Sequence, residues 1–459
     1  MKTKYFILSL YSTPVRSTLR LAAALTWGLG LLGIALVGLL ALPATGTNAA
    51  GPDEGYVVVV FPGEDGTVRP ISYTAGMSRI EALKLSGWAV EESGGSICSI
   101  DGVGCPASDC FCADNWWASA EWGADWDTSW PPTTVDDGDI IAFRWSQSSW
   151  GPPLLPGPAY TAASDGLDWL RSQQSATDGG YGSVGNSVEV MTTIGANGYQ
   201  STDWRRQPDA PSLFSHVLAN GAAFSTNGAS AAGKLAVGLS AGGGCYPLNA
   251  LQPSDTYNAA SGIYTGGYSA GGAGPQSWGI LGEYALNQAA PGLAVTYLKS
   301  LINGDGGWGW ESGDSDTNGT ALAIQALIAA GEPLSSSTIS NGLTYLKSTQ
   351  NADGGFPYDP NSSYDTNSDA NSTAYVVQAI MAAGQNPVTG TWIIAHTNPI
   401  SYLLGMQQSD GGFAWQSGYG SDQFATRQAI LALLGQALPI QSAEVATCYG
   451  GFLPIVVKN

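Results

Sequence analysis

The alternation of apolar and polar residues divides the chain into a shorter part with strand periodicity and a longer part with helical periodicity. In the shorter part, residues 56–61 form a β-branched run bounded by Gly and Pro, which predicts a buried strand. Ser78 and Glu81 have capping-box spacing and predict the start of a short helix. Residues 140–145 predict a closing strand. These elements predict a small α+β, β-rich domain at residues 51–150.

Paired helical segments repeat through residues 165–437, after a proline-rich linker predicted at residues 151–164. One segment type is a helical pattern that ends at Asp-Gly-Gly, where the glycines allow the backbone to turn. An aromatic residue follows each glycine pair, namely Tyr181, Trp308, Phe356 and Phe413. Between residues 200 and 290 this repeat is weaker but still indicates helices separated by glycine-rich turns.

A second segment type, rich in small residues and apolar on several sides, follows three of these turns. Its copies begin at the equally spaced residues Asp316, Asp369 and Asp422, which are good helix N-caps. A helix that is apolar on several sides is buried. Aromatic-anchored outer helices that alternate with small-residue inner helices predict an all-α (α/α)6 toroid of about six helical hairpins. An open solenoid is the alternative.

The first 50 residues read as a secretory signal peptide, with basic residues, a long apolar run and then small residues. The apolar run, residues 21–42, is long enough to span a bilayer, so an uncleaved membrane anchor is the alternative. In both cases we expect the rest of the chain outside the cytoplasm, secreted or tethered.

Export makes the six cysteines candidates for disulfides. Four cluster at Cys98, Cys105, Cys110 and Cys112, with a spacing that matches no known zinc-ligand pattern. We therefore expect two local bridges there and no metal site. A bridge between Cys245 and Cys448 would tie the C-terminal tail, residues 438–459, back to the helices.

The charge balance limits the partners. The chain has 36 acidic and 16 basic residues and a net charge of −20. Nucleic acids and anionic membranes attract proteins through basic surfaces, so we expect no nucleic-acid partner. A small-molecule ligand fits this composition, and a cell-surface or membrane partner stays open.

Two glutamine–aromatic repeats give the helical part a resemblance to a known superfamily. Gln350-x3-Gly354-x-Phe356 and the copy that begins at Gln407 and ends at Phe413 resemble the repeats of terpene cyclases and of protein prenyltransferase β subunits. That superfamily, the α/α toroid, also includes the cobalamin carriers transcobalamin and intrinsic factor. The resemblance covers roughly residues 165–437 and implies the fold more than an activity.

Residues 55–147 resemble the β-rich domain of the transcobalamin-type carriers. The matching pieces are residues 76–83, 100–103, 116–117, 137–139 and 144–145. In those carriers the ligand lies between such a ring and such a β domain, although the domain order here is reversed. The resemblance implies a corrinoid such as cobalamin as the leading ligand, and no other cofactor.

An enzymatic hypothesis is the alternative. A class II terpene cyclase needs an acid in an Asp-x-Asp-Asp motif, and Asp314-Ser-Asp316-Thr is a partial match. Aligned instead on the helix start, the acid position is filled by Asn318, whose amide is no strong acid. A prenyltransferase needs zinc held by Asp, Cys and His, but neither His216 nor His396 lies beside a cysteine. We therefore expect binding rather than catalysis, with Asp316 as the only candidate catalyst.

The binding hypothesis places polar side chains at one mouth of the ring, where the inner helices begin. Helix capping alone also explains these residue types. The β domain also contains a cluster of tryptophans that is larger than a small core needs, so part of it is expected to be exposed to a ligand. Trp116 and Trp117 are the members of this cluster that we predict to bind. The predicted ligand-binding residues are Asp316, Asn318, Thr320, Asp369, Asn371, Thr373, Asp422, Thr426, Trp116 and Trp117. A structural or adhesive surface module is the third hypothesis.

Overall fold

The computed structural model describes most of the chain after the predicted signal peptide. The described residues are 53–61, 66–73, 76–113, 115–122, 128–129, 134–135, 139–146, 155, 157–311, 313–440 and 445–448. The predicted signal peptide, most of the predicted linker and the end of the tail lie outside them. Within these ranges no helix is both long and apolar enough to cross a membrane.

The first part is the predicted β-rich domain. Its elements are β1 (Asp53–Val60), β2 (Gly66–Tyr73), α1 (Arg79–Leu85), β3 (Val90–Ser93), β4 (Ser96–Ile100), β5 (Val103–Gly104), β6 (Trp116–Trp122), β7 (Thr128–Ser129) and β8 (Ile140–Ser146). Five strands form a sheet in the order β2-β1-β8-β6-β7, in which β1 and β8 are parallel. Strands β3, β4 and β5 form a second, antiparallel sheet.

Both faces of β1 are buried, which explains its continuous run of valines. Val57 and Val59 belong to the domain's own core, whereas Val58 and Val60 belong to the core of the helical part. At α1, Ser78 and Glu81 form the predicted capping box, because the Ser78 side chain accepts from the Glu81 amide and Glu81 accepts from the Ser78 amide.

Eleven further α-helices occur in the described helical part. They are α2 (Gly157–Gln173), α3 (Val184–Ala196), α4 (Leu213–Ser225), α5 (Ala229–Gly242), α6 (Ala273–Ala285), α7 (Gly292–Ser300), α8 (Thr317–Ala329), α9 (Ser337–Ser348), α10 (Ala370–Ala382), α11 (Pro399–Met406) and α12 (Gln423–Leu433). Inner helices α3, α5, α6, α8, α10 and α12 each pack against the next, and α12 packs against α3. The ring is therefore closed, as the toroid prediction requires.

The outer layer contains α2, α4, α7, α9 and α11. Between α5 and α6 the outer position is filled by a 3-10 turn, Pro253–Thr256, and a hairpin of β9 (Tyr257–Asn258) and β10 (Ile263–Tyr264). The weak repeat between residues 200 and 290 thus reflects one outer helix that is replaced by other structure.

Glycines let the inner helices approach one another closely. A Cβ at Gly233 would lie 2.1 Å from the Trp278 carbonyl oxygen, and one at Gly195 would lie 2.3 Å from the Ala241 carbonyl oxygen. Any larger residue would push α5 from α6, or α3 from α5. The small-residue composition of the inner helices is therefore a packing requirement of a closed ring.

The glutamines of the repeat join neighbouring outer elements. Gln350 Nε2 donates to the carbonyl oxygens of Gly354 and Trp392, and Gln407 Nε2 donates to those of Gly411 and Ala162. Because Ala162 lies in α2, this last contact closes the outer layer from its last turn back to its first helix.

The C-terminal tail runs from α12 past α8 to the end of α5. The Leu438 amide donates to Gln325 Oε1 on α8, and the Cys448 amide donates to the Tyr246 carbonyl oxygen. A disulfide joins Cys245 to Cys448, as expected from the sequence. Two local bridges, Cys98–Cys110 and Cys105–Cys112, confirm the other expectation and give the local cluster its pairing.

Candidate functional site

The three predicted aspartates lie at the N-terminal mouth of the toroid, the end of the ring at which the inner helices begin. Asp316, Asp369 and Asp422 are the N-caps of α8, α10 and α12. In each, Oδ1 accepts from a backbone amide in the first turn, at distances of 2.6, 2.7 and 2.9 Å respectively. Each aspartate therefore stabilises a helix end, whatever else it does.

The three threonines point away from the mouth. Thr320, Thr373 and Thr426 are completely buried. Their Oγ1 atoms accept from the amides of the aromatic residues after the glycine pairs, at 2.8, 2.9 and 2.8 Å. They fix those turns against the inner helices, which leaves none of the three exposed to a ligand.

The asparagines are more accessible. Asn318 and Asn371 are both half-buried. The Asn371 side-chain amide donates to Gln428 Oε1 on the neighbouring helix α12, at 2.8 Å. Asn371 therefore lies on the inner side of the ring, at the seam between α10 and α12.

Asp316 has the electrostatics of a buried carboxyl, with an exposed fraction of only 7%. Burial raises its pKa to about 6, while hydrogen bonds from the amides of Gly319 and Trp310 lower it. Asp369 has the same character, since burial raises its pKa to about 6 and hydrogen bonds from Ser372 lower it. Asp316 is thus one of two similar sites, and both of its oxygens already accept backbone hydrogen bonds.

An open cavity of about 510 Å³ lies at this mouth, between the starts of α10 and α12. Its lining consists of Asn371, Trp415, Tyr419, Gly420, Ser421, Asp422 and Phe424. Trp415, Tyr419 and Phe424 are 39%, 58% and 47% exposed. Trp415 and Tyr419 stand edge to face with ring centroids 5.5 Å apart. The cavity thus combines aromatic surface with a few polar groups, as ligand sites do.

The repeat pattern did not predict these aromatic residues, because they lie in or beside a turn whose sequence differs from one repeat to the next. The signal was present: the turn before α12 contains Trp415 and Tyr419 among glycines and polar residues, where no core needs them. Exposed aromatics also occur at Tyr358 and Tyr364, in the turn before α10.

Beneath the cavity, a group of three ionised side chains joins three inner helices. Glu189 on α3 pairs with Lys234 on α5 at 2.6 Å and with Arg427 on α12 at 2.7 Å. The two cations hold the pKa of Glu189 at about 2 against the opposing effect of burial. The ring of Phe424, which lines the cavity, has its centroid 3.7 Å from the Arg427 guanidinium carbon. The sequence does not predict this cluster, because its members are isolated charged residues on three different helices and belong to no motif.

The two predicted tryptophans do not join this site. Trp117 is 7% exposed, donates from Nε1 to the Val103 carbonyl oxygen and belongs to the β domain's own core. Trp116 is 38% exposed on the same strand. The sheet contacts the toroid at the C-terminal end of α3, where Val68 and Asn197 form two hydrogen bonds. The tryptophans and the aspartates therefore lie toward opposite ends of the inner helices. Trp145 packs against Trp117 in the same core, with ring centroids 5.6 Å apart. The side chains of the other tryptophans of the cluster, at 122, 126, 130 and 150, lie outside the described part of the chain.

No group of His, Cys, Asp and Glu side chains in the described part of the chain is arranged to hold a metal ion. His216 lies in the outer layer, with Nδ1 3.3 Å from an Asp178 oxygen, and packs against Gly180. This is the place that Tyr345 and Tyr402 occupy in later repeats, where they anchor the outer helix.

One comparison with known families agrees with this architecture. Residues 277–429 match the family model of the squalene–hopene cyclase C-terminal domain. A search of curated proteins found no match to this chain. The resemblance of the β domain to that of the cobalamin carriers stays a prediction.

Several solved structures are similar at low identity. ent-Copalyl diphosphate synthase from Streptomyces platensis is 17% identical with a TM-score of 0.37, over 55% of this chain and 50% of that one. Candida albicans protein geranylgeranyltransferase-I is 19% identical with a TM-score of 0.29, over 39% and 52%. The type II terpene cyclase MstE from Scytonema is 13% identical with a TM-score of 0.30, over 62% and 98%. The chain thus spans about half the length of the first two.

The closed ring of inner helices, the glutamine contacts of the outer layer and the family match in residues 277–429 lead to one conclusion. The C-terminal part of this chain is an α/α toroid, of which residues 277–429 match the squalene–hopene cyclase C-terminal domain, and a small β-rich region precedes it.

Proposed function

We propose that the protein is an exported binding protein that holds a bulky, partly apolar small molecule at the N-terminal mouth of its toroid. The cavity between α10 and α12 is the observation that carries this proposal. At about 510 Å³, it has the size of small-molecule sites. Its three aromatic side chains are exposed, although core packing would bury them.

The lining indicates the chemistry of the ligand. Trp415, Tyr419 and Phe424 offer apolar ring surface, whereas Asn371 and Asp422 offer amide and carboxylate oxygens. A flat or bulky apolar body with amide or hydroxyl groups at its edge would use both. A corrinoid meets this description and is the leading ligand by resemblance. Because the cavity is open and modest in size, a corrinoid would bind through one edge.

Equilibrium dialysis of residues 51–459 against cobalamin and cobinamide tests the proposal. We expect saturable binding, and Trp415→Ala and Phe424→Ala should each weaken it about tenfold by removing a stacking face. Tyr364→Ala is the matched control, since Tyr364 is 98% exposed and does not line the cavity. Equal loss of affinity in Tyr364→Ala would contradict the assignment of the ligand to this cavity. No binding at micromolar concentrations would exclude a corrinoid as the ligand.

A cyclase that uses Asp316 as its acid is the second candidate, which the family similarity in residues 277–429 favours. A buried carboxyl with a pKa of about 6 is a reasonable proton donor near neutral pH. Its two backbone hydrogen bonds count against this role, because a protonated oxygen would lose one of them.

Asp369 supplies the matched control for this second candidate. We would incubate the protein, Asp316→Asn and Asp369→Asn with squalene and analyse the products by mass spectrometry. A cyclase predicts product from the parent and from Asp369→Asn, but none from Asp316→Asn. A parent protein that forms no product, or variants that lose it equally, would remove the catalytic assignment.

A further inference from the structure

A ladder of stacked cationic and aromatic side chains crosses the junction of the β domain and the toroid. The Arg69 guanidinium carbon lies 5.1 Å from the Trp88 ring centroid and 4.2 Å from that of Tyr199. The Arg171 guanidinium carbon lies 5.4 Å from the Tyr199 centroid and 4.1 Å from that of Trp204. Two guanidinium groups therefore share one tyrosine ring, one from strand β2 and one from helix α2.

Neither of these two cations forms an ion pair among the described residues, whose ion pairs involve other basic side chains. Asp168, one turn before Arg171, is near enough for the guanidinium to lower its pKa, although burial raises that pKa more.

The unsatisfied polar atoms at the ladder are all donors. Arg69 Nε, Trp88 Nε1 and Arg171 Nε are buried without an acceptor in the described structure. Buried polar atoms in proteins are nearly always hydrogen-bonded, so unpaired ones need a reason. Three donors around two positive charges, with no acceptor among them, call for a ligand made of acceptor oxygens.

The arginines are held in place before any ligand arrives. The Val68 amide donates to Asn197 Oδ1 at 2.8 Å, and Asn197 Nδ2 donates to the Val68 carbonyl oxygen at 2.9 Å. This pair fixes the strand residue next to Arg69 against the end of α3. Stacking on flat rings then leaves each guanidinium with its edges free, the geometry in which arginine binds oxyanions.

We propose that Arg69 and Arg171 form a binding site for a phosphate-type oxyanion at the junction of the β domain and the toroid. The oxyanion accepts hydrogen bonds from the edges of the two guanidinium groups that contact the Tyr199 ring. A ligand with several phosphate oxygens can accept hydrogen bonds from both guanidinium groups at once. The site is separate from the aromatic cavity and does not rest on the function proposed for it.

Isothermal titration of the full chain with inorganic diphosphate at low ionic strength tests this site. We expect saturable binding of one diphosphate, weakened at least tenfold in Arg69→Gln and in Arg171→Gln. Lys84→Gln is the matched control, because Lys84 is an exposed, ion-paired lysine of the β domain. Trp415→Ala should also bind diphosphate normally, which separates this result from the fate of the cavity.

The alternative is that the ladder only holds the two domains together. Diphosphate that fails to bind below about 10 mM, or binds equally to both arginine variants, would establish this and overturn the proposal. Equal loss in Lys84→Gln would also overturn it, as nonspecific attraction. Citrate that binds more tightly than diphosphate would overturn the phosphate class. If Arg69→Gln does not fold, Arg171→Gln decides alone, with circular dichroism to verify its fold.

Discussion

Asp316 and Asp369 are equivalent caps, and each has a carboxyl whose pKa burial raises to about 6. A raised carboxyl pKa means that the folded protein binds a proton more tightly than the unfolded chain. The stabilisation from these groups is therefore complete below the unfolded value near 3.8 and is lost as the pH rises through about 6. Lowering the pH from about 6 to about 4 should therefore not destabilise the first turns of α8 and α10.

We expect the double variant Asp316→Asn/Asp369→Asn to flatten the pH dependence of unfolding between about pH 4 and about pH 7. A change of one unit in pKa corresponds to about 1.4 kcal/mol. Each carboxyl should therefore change the free energy of unfolding by on the order of 1–3 kcal/mol across this range. Urea unfolding at several pH values measures the slope. Asp422→Asn serves as the control for a general loss of capping, because Asp422 is the equivalent N-cap of α12. A slope that persists in the double variant would contradict the assignment.

The sequence predicted these residues as helix starts but not where their side chains point. Periodicity identifies the first turn of a helix, and the type of a capping residue follows from its chemistry. Whether Thr320 faces a ligand or the Trp308 amide depends on the turn that packs beside it. The same limit applies to Trp117, which a count of tryptophans assigns to a surface and the sheet places in a core.

At the scale of elements, closure of the ring depends on the contact between its first and last inner helices. Glu189 on α3 pairs with Arg427 on α12, and the Arg427 carbonyl oxygen accepts from Thr193 on α3. Arg427 is only 1% exposed, so its charge relies on Glu189. Removal of a charge at this contact of α3 with α12 should therefore lower the stability of the ring more than removal of a charge elsewhere.

Glu189→Gln should lower the free energy of unfolding by about 3–5 kcal/mol, since it leaves two inward cations without their anion. Lys234→Met should cost less, because the pair of Glu189 with Arg427 remains intact. Chemical denaturation of both variants measures the difference. Equal effects, or a loss below about 1 kcal/mol for Glu189→Gln, would show that the seam does not depend on this charge.

The Cys245–Cys448 bridge closes a loop of most of the toroid, with a sequence separation of 203. A cross-link over a long loop restricts the unfolded chain, which predicts a loss of about 2–5 kcal/mol in Cys245→Ser/Cys448→Ser. Thermal unfolding measures it. Cys98→Ser/Cys110→Ser is the comparison, because its short local loop should leave the unfolding of the toroid unchanged. A toroid that unfolds identically without the long bridge would contradict this.

Elements were predictable where their pattern is periodic, and not where another structure replaces them. The β-branched run at residues 56–61 and the repeated inner helices have strong local signals. The 3-10 turn at Pro253–Thr256 and the hairpin of β9 and β10 occupy an outer helix position. Only their contacts with α5 and α6 make them equivalent to a helix, and contacts are not part of a local pattern.

At the scale of the whole molecule, the sequence predicted a β-rich region followed by a ring of helices, but not the face on which the two meet. Resemblance to the cobalamin carriers implied a ligand between ring and sheet. The sheet instead packs directly, with Val58, Val60 and Val68 in the same core as Tyr160. The aspartate mouth is at the other end of the inner helices, which leaves it open at the aromatic cavity.

Asn197 is the polar centre of that packing, and it is completely buried. Its side chain accepts from the Val68 amide and donates to the Val68 carbonyl oxygen, so it continues the edge of the sheet into the end of α3. Asn197→Leu would leave both backbone groups buried without partners, at about 1–3 kcal/mol each. We expect the β domain to separate from the ring more readily, while the ring itself keeps its stability.

Limited proteolysis should then cut between the domains faster than in the parent protein. Asn220→Leu is the matched control, because its amide contacts only the His216 carbonyl oxygen within its own helix. Equal cleavage of both variants would mean that the apolar contact alone holds the domains together.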